Sequence, residues 1–316
     1  MLLLSISVVL PYRGVFPRRT FFNRTRGSLV SGQGDDMQKI FDRVDTAAGE
    51  RTWQRIPGRV AGPMAATMLL GLVLTTPALG QLATDDEAYH RDYIYGAPAA
   101  PTEAWTLVSG GRFYDNWMSA LEVNAPAGTH PAYPSTGRQS GASTWRCKEC
   151  HGWDYRGAAG KYGSGSHATG IAGIDGMVGA DPDAIVRILR GSTHGFTESI
   201  LPADAAERLA RFVSAGQHDT NAYIDFDSGE VRGDPGRGAS VFQTVCAACH
   251  GFEGRALNWG SSEEPGYVGT EAQANPWEVL HKIRNGHPGV EMISLRAFDI
   301  QIAVDVLAYA RTLPAK

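Results

Sequence analysis

The chain has 316 residues, of which 43% are hydrophobic and 20% charged, with 38 glycines. That is ordinary globular composition with more glycine than the average of roughly 7%, and the length allows between one and three domains. A formal net charge of −4, with no basic stripe and no RNA-type motif, argues against a nucleic-acid binder.

The first segment in chain order is set apart by its charge. The first eighty residues hold ten of the 29 Lys and Arg but only five of the 33 Asp and Glu. A basic stretch ends at RTWQRIPGR (51–59) and is followed by VAGPMAATMLLGLVLTTPALG, with no charge until Asp85. A positive segment, an apolar segment and a small-x-small ending (Ala78, Leu79, Gly80) make a secretory signal peptide. Cleavage is expected between Gly80 and Gln81. The alternative is an uncleaved membrane anchor facing the periplasm. The apolar core at 64–74 is broken by a glycine and falls short of the ~20 residues of a spanning helix. A signal that starts so far along the chain points to an annotated start upstream of the true one, with Met37 the candidate. Residues 1–58 are therefore read as an extended leader and 59–80 as the signal's apolar region and cleavage site. The remainder carries 19 basic and 28 acidic residues, about −9, so its surface is acidic.

After residue 80 the elements come twice. GGRFYDNWMSAL (110–121) reads as a first helix, followed by a Pro- and Gly-rich insertion at 125–141 and then by TWRCKECHGWDY (144–155). DPDAIVRILRGSTHG opens with Asp181 as a cap and Pro182 at the first helical position, and continues with Ile185, Ile188 and Leu189 at helical spacing. PADAAERLARFVSAG is an amphipathic helix, and the polar stretch at 217–235 reads as a linker. The second pass begins with DPGRGASVFQTVCAACHG, a helix that carries Gly238 and Phe242 into the second Cys-containing motif. NPWEVLHKIRNGHPG matches DPDAIVRILRGSTHG at an offset of 94, with Asn275-Pro276 opposite Asp181-Pro182 and Val279, Leu280 and Ile283 as its apolar face. DIQIAVDVLAYARTL closes the chain as a last amphipathic helix. The division expected is 81–216 and 236–316, two mainly helical domains joined by the linker.

All four cysteines lie in two C-x-x-C-H motifs: Cys147, Cys150 and His151, then Cys246, Cys249 and His250. Two thiols three positions apart share one face of a helical turn, where they can add across the two vinyl groups of haem, and the next histidine then sits under the iron. A four-thiolate zinc site would set its pairs some 15–20 residues apart. Here nearly a hundred separate Cys150 from Cys246. A thioredoxin-like motif would need a βαβ pattern, which is missing. The motifs predict two covalently attached haem c groups, loaded outside the cytoplasm.

The order of a glycine-bearing helix, C-x-x-C-H, a loop, a middle helix, a second loop and a C-terminal helix resembles the class I cytochrome c family. The resemblance spans most of 105–316 and is strongest where Gly238-x-x-x-Phe242, CAACH, IRNGHPGVEM and LAYARTL follow in order. It implies an all-α fold of two tandem cytochrome c-like domains, with Tyr309 and Phe242 packing to close the second. It also implies that Met292, forty-two residues after His250, is the sixth iron ligand there; His287 is the rival, and His281 reads as a surface residue. The first domain departs from the family by its insertion and by having no methionine at the matching place. Its sixth-ligand candidates are His194, His167, Met177 and His130; His194, forty-three residues after His151 in the matching loop, is favoured. His167, in HATGIAGI, resembles a loop whose backbone carbonyl orients the proximal imidazole. Trp145, Trp153 and Tyr155 read as walls of the haem pocket. Arg146 and Arg156 read either as propionate partners or as surface residues.

Six-coordinate iron has no vacancy for a substrate and moves electrons, and a Met ligand gives a higher potential than a second imidazole. The expected function is an exported, periplasmic dihaem cytochrome c that passes electrons from the first haem to the second between redox protein partners, with no catalytic residue of its own. The alternative is a dihaem oxidoreductase, of peroxidase or sulfur-compound dehydrogenase type, whose first haem is catalytic. No cysteine is left over to give the thiolate ligand of the latter type.

Overall fold

The computed structural model describes residues 97–316. The leader, the cleavage point and the Met37 start lie outside the described residues. Among the described residues there is no β-strand, only two isolated bridges, Gly157 with Ala172 and Ile224 with Val231, so the fold is all-α as the sequence implies. No helix among them is long and apolar enough to cross a membrane.

The helices are α1 Glu103–Ala120, α2 Cys147–His151, α3 Pro182–Arg190, α4 Ala203–Arg211, α5 Pro235–Val241, α6 Ala247–His250, α7 Val268–Ala274, α8 Pro276–Asn285 and α9 Ile300–Ala310. Their starts follow local chemistry. Thr102 caps α1 by accepting the Trp105 N–H at 3.2 Å. Asp181 and Asn275 cap α3 and α8, each with proline at the first helical position. α1 is kinked at Asn116 (φ −155°, ψ 89°), whose side chain accepts the Ser119 N–H at 3.2 Å and so restarts the helix. The helix therefore begins seven residues before the segment expected from the sequence.

Each half is closed by the same kind of helix crossing. In the first, Gly110 of α1 lies under the backbone carbonyl of Arg208 in α4, where any Cβ would collide. Four residues on, Tyr114 meets Phe212 with ring centroids 5.6 Å apart. In the second, Gly238 of α5 lies under the carbonyl of Asp305 in α9, and four residues on Phe242 meets Tyr309 at 5.4 Å. A missing side chain lets two backbones approach, and an aromatic pair one turn further fixes the register.

Both halves fall within one compact unit, and the seam between them is buried. Trp153 and Tyr162, which follow the first motif in sequence, belong to the same core cluster as Leu280, Val304 and Leu307 near the C-terminus. The linker is packed as well: Ile224 is fully buried in that cluster, and the Gln217 side chain donates to the Ile174 carbonyl at 2.9 Å. Helix α8 crosses α1 at the seam, so it is covered on two sides. His281 is fully buried there, not at the surface: Tyr155 Oη lies 2.8 Å from its Nδ1 and the Gly111 carbonyl 2.9 Å from its Nε2. The bond to a carbonyl puts the proton on Nε2, so Tyr155 donates to Nδ1. Burial pushes the His281 pKa down to about 4.

Candidate metal centres

The two C-x-x-C-H motifs fold alike. Each forms a short helix ended by a glycine in the left-handed region, Gly152 (φ 78°, ψ 162°) and Gly251 (φ 73°, ψ 162°). Each terminating N–H returns to a carbonyl of the turn, Gly152 to Lys148 and Gly251 to Ala247, both at 2.9 Å. Each histidine carbonyl then accepts an N–H from the following loop, from Gly157 at 2.8 Å and from Ala256 at 2.9 Å. None of the four cysteines forms a disulfide. Burial pushes the thiols of Cys147 and Cys150 up to about 12 and that of Cys246 to about 11.

The first motif is gripped from behind by α1. Tyr114 Oη donates to the Gly152 carbonyl at 2.5 Å, and Trp117 Nε1 donates to the Trp145 carbonyl at 2.9 Å. Between them the fully buried Asp115 receives Arg146 at 2.6 Å and, from α8, Lys282 at 2.7 Å. Burial alone would raise the Asp115 pKa; the adjacent ammonium and guanidinium hold it far below the usual carboxylate range. Arg146 is therefore committed to Asp115 rather than to a propionate or to the surface. Glu149, inside the motif, is also fully buried, with Lys148 at 3.2 Å and His167 Nδ1 at 2.7 Å.

His151 Nδ1 lies 2.8 Å from the carbonyl of Ala172, two residues beyond Gly170 in the loop where an orienting carbonyl was expected. Its ring faces that of His194, with centroids 6.2 Å apart and planes 31° from parallel. Two metal–imidazole bonds of about 2 Å, with roughly 1 Å from each nitrogen to its ring centre, add to about 6 Å, close to this separation. Burial lowers the pKa of both imidazoles, favouring the neutral form that ligates. The other candidates are engaged elsewhere. His130 uses both ring nitrogens, Nδ1 accepting from Ala132 N–H at 3.1 Å and Nε2 lying 2.9 Å from the His194 carbonyl. His167 is held by Glu149 and stacks on Tyr162 at 4.9 Å. Met177 packs against the first core.

In the second centre the His250 ring stands edge-on to Trp259, centroids 6.1 Å apart, and burial lowers its pKa. Its buried Nδ1 has no hydrogen-bond partner among the described residues, unlike that of His151. Met292 is half-buried in the loop between α8 and α9, with its carbonyl taking a hydrogen bond from Arg112 at 3.2 Å. His287 is in the same loop, its Nδ1 2.8 Å from the Pro288 carbonyl.

The aromatics around the first motif divide. Trp145 lies in the first core. Trp153 and Tyr155 are part of the seam: Lys148 and Lys282 place their ammonium groups 5.3 and 5.4 Å from the Trp153 ring, and Tyr155 binds His281. Asp115, Glu149 and the reach of His130 were not found from the sequence. A charged residue between two cysteines was the only signal for any of them.

The residues present fit haem c: two thiols on one turn, a histidine next to them in sequence, and in the first centre a second imidazole 6.2 Å from the first. Residues 233–303, which contain the second motif, match the family described as Cytochrome C oxidase, cbb3-type, subunit III. The matched segment is a c-type cytochrome domain, a kind that binds haem covalently and exchanges electrons with redox partners. No curated protein matches the chain.

Proposed function

We propose that the chain is an exported dihaem cytochrome c that carries electrons between periplasmic redox proteins, with both irons six-coordinate. Haem, when bound, supplies a one-electron couple at each centre. The thiols of Cys147 and Cys150 hold the first group and those of Cys246 and Cys249 the second. His151 and His194 would ligate the first iron, His250 and Met292 the second. The observation that carries this reading is the 6.2 Å separation of the His151 and His194 rings.

Residues around the ligands support a direction of flow. The Ala172 carbonyl orients His151 and makes its imidazole a stronger donor, which favours the ferric state. His250 has no such partner among the described residues, and a thioether donates less than a second imidazole. Both differences would favour a higher potential at the second centre, and with it electron flow from the first to the second. The acidic balance of 19 basic to 28 acidic residues beyond position 80 favours a basic partner.

Low-temperature EPR on the oxidised, haem-loaded chain tests the reading. Two low-spin signals unmoved by cyanide are expected. A high-spin signal that shifts with cyanide would overturn closure of that iron and hand the chain to an enzyme with a catalytic haem.

A further inference from the structure

The insertion at 125–141 separates α1 from the first motif, and its role follows from where it touches. Its tip is pinned at several points to the 3₁₀ turn Gly141–Trp145 that leads into the motif. His130 N–H donates to Thr144 Oγ1 at 2.9 Å, Trp145 Nε1 donates to the Gly128 carbonyl at 3.0 Å, and Gly141 N–H donates to Thr129 Oγ1 at 3.0 Å. His130 is 7% exposed, too buried to serve as a surface group. Its ring packs edge-on against Trp145 at 4.4 Å and lies 5.8 Å from Phe196. Ala132 N–H donates to its Nδ1, which fixes the tautomer and leaves Nε2–H as the donor. That donor meets the backbone carbonyl of His194 at 2.9 Å.

The loop between α3 and Ala203 that carries His194 is anchored mainly after that residue: Phe196 is buried against Trp117 and Trp145, and Arg190 donates to the Phe196 and Leu201 carbonyls at 2.6 and 2.8 Å. Gly195 N–H returns to the Gly191 carbonyl at 2.8 Å, and Phe196 N–H to Leu189 at 3.1 Å. The His194 ring itself is half-buried, with the Ile188 carbonyl 3.2 Å from Nδ1 as its side-chain hydrogen-bond partner. We propose that the insertion is a strap, and that His130 is a positioning residue whose hydrogen bond to the His194 carbonyl holds the His194 imidazole opposite His151 and keeps the first iron closed. The inference rests on His194 being the sixth ligand. It explains why this half carries an insertion that the other lacks: the second centre draws its ligand from a loop tied down by Arg112 and Ser294, whose hydroxyl donates to the Arg284 carbonyl at 2.6 Å.

The test uses the full haem-loaded chain in three forms. His130→Phe keeps a ring against Trp145 and removes the donor. His130→Asn keeps a polar group too short to reach the carbonyl. His130→Gln places an amide N–H near the position of Nε2. Losing one hydrogen bond of ordinary strength should make cyanide binding to the first iron roughly five- to tenfold faster in the Phe and Asn forms. Amide exchange over 191–197 should accelerate similarly, and the Gln form should stay within about twofold of the parent. A role in packing alone would spare the Phe form, so cyanide rates in His130→Phe equal to the parent's overturn the strap. His194→Ala separates the two ideas. A first iron that turns high-spin in it while His130→Phe stays closed leaves the ligand reading standing and removes the strap. A first iron that stays low-spin in His194→Ala overturns both.

Discussion

Asp115→Asn is the most informative single change. Asp115 is fully buried and bonded to two cations that are themselves buried, Arg146 at 6% and Lys282 at 8% exposure. The substitution keeps the shape and removes the charge, leaving two cations facing a neutral amide. Breaking a buried ion pair from one side costs about 3–5 kcal/mol. Two remaining contacts argue for the lower end. Lys282 keeps Glu278 at 3.5 Å, and Arg146 Nε keeps the Asp115 backbone carbonyl at 2.9 Å. A loss of about 3 kcal/mol corresponds to a fall in Tm of roughly 6–12 °C for a body of this size. The assay is denaturant unfolding of the haem-loaded chain followed by far-UV circular dichroism, with Lys282→Met and the double variant completing a cycle. The double variant should lose less than Asp115→Asn and Lys282→Met summed. Because the folded pKa of Asp115 lies below its unfolded value, its contribution is present above about pH 4. The parent loses it as the pH falls further, and Asp115→Asn shows no such loss. An Asp115→Asn form within about 1 kcal/mol of the parent at neutral pH would refute the reasoning.

Two further predictions concern the seam and the second half. Tyr155→Phe removes the donor to His281 Nδ1 and leaves a buried acceptor unmet, so it should cost about 1–3 kcal/mol in a thermal melt with the visible spectrum unchanged. Glu271 is 7% exposed, and burial, with the nearby Glu278 carboxylate, pushes its pKa up to about 8. Its folded form holds the proton more tightly than its unfolded form, so stability falls as the pH rises from about 4.5 to about 8. At about 1.4 kcal/mol per unit, the fall is on the order of a few kcal/mol. Glu271→Gln should flatten that slope in pH-dependent urea unfolding. An unchanged slope would mean that Glu271 is ionised in the folded protein.

What could be read from the sequence was what is local. Two thiols and a histidine within five residues carry their chemistry in their spacing. A cap followed by proline marks the starts of α3 and α8 because the groups that satisfy a helix start are adjacent in sequence. His194 could be reached by the offset between two similar segments. His281 could not be placed, because apolar spacing identifies one buried face and α8 has two. Its Lys282, Glu278 and Asn285 are buried as well, and Lys282 and Asn285 meet Asp115 and Gly111, far away in the chain. The strap was invisible for a related reason. His130 acts on a backbone carbonyl 64 positions away, and any residue at position 194 would present one.

The seam also sets a limit on modularity. A cut at residue 233, where the family match begins, would strip Trp153 and Tyr162 from the second core and expose Lys282 and His281 without their partners Asp115, Tyr155 and Gly111. The segment that matches a family as a module is thus no longer separable here. A piece begun at that point should behave as a sticky, incompletely folded fragment. Recombination that swaps this half into another protein would have to bring part of the other half with it.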